Sequence, residues 1–234
     1  MTPDQLKAQI VDVLPRDALI DLIDVAEART KQAHELIRDH TDLSGRSARG
    51  LEGQARFRLM EKGFEDVCTS YGGLPLEGDI IPGTELRVFQ PFRRFGGGEP
   101  GVVLGLAAMP SKGELPVKNK SRLAGVTMNR QFSPRLNLNG GDAEPQPGDA
   151  FVLLLFARDP SRAGQIQEIA IGVIDANYDS YIVYEPVEMF LEGYTTLTPE
   201  QDPEPRPSVT LKATPKSFNA PEDRRPDDAA DAGE

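Results

Sequence analysis

The chain has 234 residues, 38% of them hydrophobic and 27% charged, and a net charge of −11. That length supports one sizeable core or two small ones, and no apolar run reaches the roughly 20 residues needed to span a bilayer. The acidic balance argues against non-specific attraction to nucleic acid or anionic membrane, and the single cysteine, Cys68, excludes an intrachain disulfide or a multi-thiolate metal site.

The opening MTPDQLKAQIVDVLPRD has neither a basic n-region nor an apolar h-region, so a cytoplasmic location is the expectation. Thr2, Pro3 and Gln5 read as a capping box. Leu6, Ile10, Val13 and Leu14 then share one face before Pro15 stops the helix. Asp17 can cap a second, longer helix. There Leu19, Ile20, Ile23, Ala26, Ala33 and Ile37 fall near helical spacing, and charged residues occupy the opposite side. After a turn at 41–45, a third helix is expected from about Ser47 to Cys68, burying Leu51, Phe57, Met60, Phe64 and Val67. Cys68 at its apolar end reads as a buried structural thiol, because nothing basic beside it in sequence would lower its pKa.

From Leu74 onward the apolar runs shorten, gain β-branched residues and are punctuated by Gly and Pro. Strands are expected at 85–90, 102–109, 123–129, 150–158, 166–174 and 180–184. GVVLGLAAM, AFVLLLFA and IAIGVI are too continuous for a sheet face open to water, so they should be central. Asp159-Pro160 and the run Asp175 to Asp179 carry turn chemistry suited to hairpins. Pro186 opens a short helix that Gly193 should close. The expectation is therefore an α+β fold: a three-helix segment (1–73) packed on a mixed, largely antiparallel sheet or partly open barrel (74–197). A tail (198–234) rich in Pro, Asp, Glu and Ala is expected to be disordered.

Charge is unevenly spread. Segment 88–136 holds eight basic and two acidic residues, a net +6, so the rest of the chain carries −17. Two loops stand out in it. Phe92-Arg93-Arg94-Phe95 precedes three glycines, a pairing of guanidinium and aromatic groups that can hold a base or a phosphate. Lys118, Lys120 and Arg122 line a second basic loop suited to phosphate contact, and Arg130 follows. The glycines lack the spacing of a phosphate-binding loop and read as a hairpin connection.

For catalysis, His34 and His40 lie on one predicted helix but roughly 240° apart around its axis, so they cannot share a metal. Carboxylates are the better candidates. Asp149 opens one expected strand, Glu168 lies in the next, and Glu52 sits on the third helix. This order resembles a restriction-endonuclease-type nuclease core, which would imply Mg²⁺-dependent phosphodiester cleavage. The residue two after Glu168 is Ala170, where that core has lysine, so Lys118 or Lys120 would have to supply it.

Three functions follow as expectations. The first is a non-enzymatic binding protein, without cofactor, presenting Arg93, Arg94, Lys118, Lys120, Arg122 and Arg130 to an anionic partner, nucleic acid foremost. The second is a Mg²⁺-dependent nuclease using Asp149, Glu168, Glu52 and Lys118. The third is an accessory subunit that docks a protein partner through its N-terminal helices. No membrane partner is expected.

Overall fold

The computed structural model describes residues 2–81, 85, 87–88, 90–98, 100–132 and 148–197; the expected tail at 198–234 lies outside them. Three helices open the chain: α1 (Pro3–Val13), α2 (Arg16–His40) and α3 (Gly45–Ser70). The α1 capping box forms, with the Gln5 amide donating to the Thr2 hydroxyl and the Thr2 amide donating to the Gln5 side chain. Pro15, not Asp17, is the N-cap of α2. Leu22 takes the buried place expected of Ile20 and Ile23, which are half-buried. α3 packs along α2, but it buries only Met60, Glu61, Gly63, Phe64 and Cys68, all in its second half. Leu51, an expected core residue, is 39% exposed.

Six strands follow: β1 (Leu74–Pro75), β2 (Arg93–Phe95), β3 (Val102–Met109), β4 (Ala150–Arg158), β5 (Ile166–Ile174) and β6 (Tyr181–Pro186). Among the described residues they form one sheet in chain order, with only β3 and β4 parallel. The sheet is mixed and largely antiparallel, and it stays open rather than curling into a barrel. Of the strand expected at 85–90, which falls partly outside the described residues, an isolated bridge between Ile80 and Arg87 is present.

The three continuous apolar runs are β3, β4 and β5, buried on both faces as their composition requires. Leu104, Val152, Leu154 and Ile171 face the core shared with α1, α2 and α3. Val103, Phe151, Leu153 and Leu155 face the opposite core. α5 (Val187–Leu197) returns to the first face and continues through Gly193, where the sequence suggests a stop.

Two departures reposition polar groups. The first concerns 123–129, expected as a strand, which is instead α4 (Lys120–Val126) followed by a 3-10 turn, Thr127–Gln131. Asn119 caps α4 by accepting from the Arg122 amide at 2.8 Å. Gly125 lets the helix rest on the sheet, because a Cβ there would stand 2.4 Å from the Phe151 ring. Asn129, fully buried, donates to the carbonyls of Phe151 and Ile174 and accepts from the Phe151 amide, all within 2.9 Å. It thereby joins β4 to β5 beyond the point where their ladder begins, at Leu153 and Gly172.

The second is a bulge in β6. Val173 pairs with Val183 but Ile174 pairs with Tyr181, leaving Ile182 as the extra residue. Strand alternation alone would send Tyr181 and Tyr184 to opposite faces. The bulge resets that parity, and the two rings lie 4.9 Å apart on the α4 side. With Tyr178 they fasten the loop after β3. Tyr178 donates to the Pro116 carbonyl, Tyr181 donates to the Glu114 carbonyl, and the Gly113 amide donates to the Tyr184 hydroxyl.

Candidate functional site

The six cations singled out in sequence do not form one surface. Arg93 and Arg94 are neighbours on β2 and so project to opposite faces. Arg93 pairs with Glu65 of α3 at 2.8 Å, leaving its side chain 14% exposed. Arg94 donates to both Asp149 oxygens, at 2.6 and 3.0 Å, and to the carbonyls of Gly96 and Gly98, both at 2.7 Å. The glycine loop is therefore wrapped around its own arginine, and it joins β2 to β3 as an antiparallel hairpin. Arg122 is buried against the Val117 carbonyl. Lys118 approaches Asp179 at 3.8 Å and the Tyr178 ring at 5.5 Å. Lys120 and Arg130 remain exposed.

The three carboxylates of the nuclease pattern are not brought together. Glu168 pairs in register with Ala157, whereas Asp149 precedes the start of β4, about 26 Å away at the usual strand rise. Asp149 binds Arg94 and the Gly101 amide. Glu52 contacts His34 at 3.1 Å and Arg56 at 3.6 Å between α2 and α3. Glu168 is buried on the α4 side, where Tyr184 donates to one oxygen and Lys112 pairs with the other at 2.6 Å. Lys112, not Lys118, is thus its lysine. Burial, reinforced by the bond to Glu168, pushes the Tyr184 hydroxyl up to about 12, and the same carboxylate raises Lys112. Among the described residues no cluster of acidic, His or Cys side chains is arranged to hold a metal.

Two other buried carboxylates, Asp159 and Asp175, build turns. Asp159 accepts from Ser161 and Arg162, which hold it far below the usual carboxylate range. Asp175 is opposed by burial, yet bonds from Ser180, Asp179 and Asn177 outweigh that and lower it. Each closes a hairpin, β4–β5 and β5–β6 respectively, as the turn chemistry predicts.

What remains is an open groove of about 1130 Å³ along the first half of α3. Arg49, Leu51, Gln54, Phe57 and Arg58 form one wall, and Gln90, Asn119, Lys120 and Ser121 form the other. α3 belongs to one face of the sheet and α4 to the other, so the groove crosses the sheet edge at Gln90. Among the described residues β2 pairs with β3 there only from Val102 to Leu104. Asn119 donates to Gln90 at 3.0 Å and fixes that side. Arg58 is pinned to buried Glu61 at 2.7 Å. Neither Arg49 nor Lys120 has an ion-pair partner among the described residues.

Lys120 was legible as a candidate; Arg49 and Arg58 were not singled out. Their signal is present all the same. Arg46 and Arg49 lie near the start of α3, whose first turn has no acidic residue, and Arg56 and Arg58 follow in its middle. That is contrary to the usual preference for acids at a helix N-terminus.

The chain matches no family model, no curated protein and no solved structure. Among the described residues no helix is long and apolar enough to cross a membrane.

Proposed function

We propose that this chain is a non-enzymatic binding protein that seats an anionic polymer, nucleic acid foremost, in the groove between α3 and the start of α4. The observation that carries the reading is the pair of unpartnered cations, Arg49 and Lys120, on facing walls of an open groove. Its volume of about 1130 Å³ exceeds the usual small-molecule range of about 300–1,000 Å³, which favours a chain-like ligand. The remaining surface is acidic enough to repel a polyanion elsewhere, so a net −11 sharpens selection by the groove.

The test is fluorescence polarisation with labelled DNA and RNA at low and physiological salt, in EDTA and in Mg²⁺, with a gel to detect cutting. Arg49→Ala with Lys120→Ala should weaken binding and lower the salt slope by between one and two units, the share of two phosphate contacts. A slope unchanged in the variant sinks the assignment. Cutting that requires Mg²⁺ would restore the nuclease reading despite the separation of Asp149 from Glu168.

One observation favours the accessory-subunit reading as a second choice. Leu36, Leu43 and Leu51 are 44%, 46% and 39% exposed near the junction of α2 and α3. Exposed apolar side chains that form a contiguous patch mark interaction surfaces. Absence of binding to every nucleic acid, together with a defined complex lost in Leu43→Glu, would select it.

A further inference from the structure

Resting on the groove reading above, we infer that the ligand is single-stranded nucleic acid and that duplex is excluded. A helix that reads base edges in a duplex projects into a major groove about 12 Å wide. Here α3 does not project. Its basic face is one wall of a concavity, and Gln90, Asn119 and Lys120 stand opposite it. Paired bases in a duplex would turn away from this interior, whereas a single strand can lay its bases within it.

The lining suits a strand with its bases unpaired. Cations on the rims meet phosphates, and the apolar surface of Leu51, Ala55 and Phe57 can take base faces. The Gln54 amide has no partner among the described residues, so it is available to base edges, which only a single strand exposes in full.

Two glycines make the same point. Gly50 and Gly53 lie nearly a helical turn apart on the α3 wall, and a Cβ at either would meet nothing within 4 Å. Glycine in the middle of a helix is destabilising relative to alanine. No packing in the described structure requires these two; a ligand approaching the backbone of α3 would. RNA and DNA share the chemistry used here and are separated by the test.

The experiment measures polarisation of labelled RNA and DNA strands of about 12 nucleotides, and of the matching duplexes, with the full chain at low salt. Single strands should bind at least about tenfold more tightly than either duplex. Gly50→Leu with Gly53→Leu should fill the wall, keep or raise the melting temperature, and weaken single-strand binding by about tenfold or more, the loss of one base contact. Preference for RNA over DNA would add a 2′-hydroxyl contact, and equal binding would assign the contact to base and phosphate; both support the inference. Duplex bound as tightly as single strands, with the loss in Arg49→Ala/Lys120→Ala retained, overturns strand selectivity and leaves the groove reading standing. Single-strand binding unmoved by the glycine and cation variants, or no binding at all, overturns both.

Discussion

The two halves of α3 share one helix and differ in what holds them. Residues 60–70 are set into the molecule by Met60, Phe64 and Cys68, which join the core with α1, α2 and the sheet. Residues 45–59 contain no fully buried side chain and carry all four of the helix's arginines. Burial of the second half offsets the entropy of ordering the helix, and the first half, held by Glu52 to His34 of α2 and by Phe57 to the core, leaves its outer side open. Under the proposed function, stability and recognition are divided along a single element.

Substitutions in the two halves should separate these roles. Phe64→Ala should cost about 3–5 kcal/mol in urea unfolding, whereas Leu51→Ala should stay within about 0.5 kcal/mol. Equal costs would show that the first half is packed after all. Glycine gives a sharper contrast because the same replacement should change sign. A Cβ at Gly63 would stand 2.3 Å from Val25 Cγ1. Gly63→Ala should therefore lose roughly 1–2 kcal/mol, overpacking exceeding the gain in helix propensity. Gly53→Ala meets open space and should gain up to about 1 kcal/mol. Amide exchange should follow the same division, fast over 46–58 and slow over 60–70; uniform protection would erase it.

At Cys68 the expected effect is confined to alkaline pH. Burial pushes its thiol from 9.0 up to about 12, so alkylation of the native protein should be slow at neutral pH and fast in denaturant. Above pH 9 the unfolded chain releases this proton and the folded chain keeps it. The contribution of Cys68 to stability is therefore complete below pH 9 and falls away as pH rises toward 12. Cys68→Ala should flatten that part of the alkaline decline in urea melts taken across the range. A slope identical to the parent's would assign it to other groups.

Local signals were readable where one interaction decides the outcome. The Thr2–Gln5 cap, the hairpin turns at Asp159 and Asp175, and the doubly buried runs of β3, β4 and β5 all have the form their residues predict. The stretch 123–129 misled because an apolar run of four to eight residues fits a strand or a buried helix equally. The Asn119 cap and the seating of Gly125 on Phe151 settle it as helix. Of the candidate site, only Lys120 was legible.

The sequence by itself determined the class of fold, the three opening helices, the three central strands and the concentration of positive charge in segment 88–136, because composition and periodicity act over neighbouring residues. Tertiary structure decided which charges are left for a partner. Arg93 finds Glu65, Arg94 finds Asp149 and Lys112 finds Glu168 across separations of 28, 55 and 56 residues. Each pairing depends on strand register and on how α3 crosses the sheet. A bulge of one residue was enough to move Tyr181 and Tyr184 onto one face. Whether a cation is spent or available is thus a property of contacts distant in sequence. That is why the groove at Arg49 and Lys120 emerges only from the folded chain.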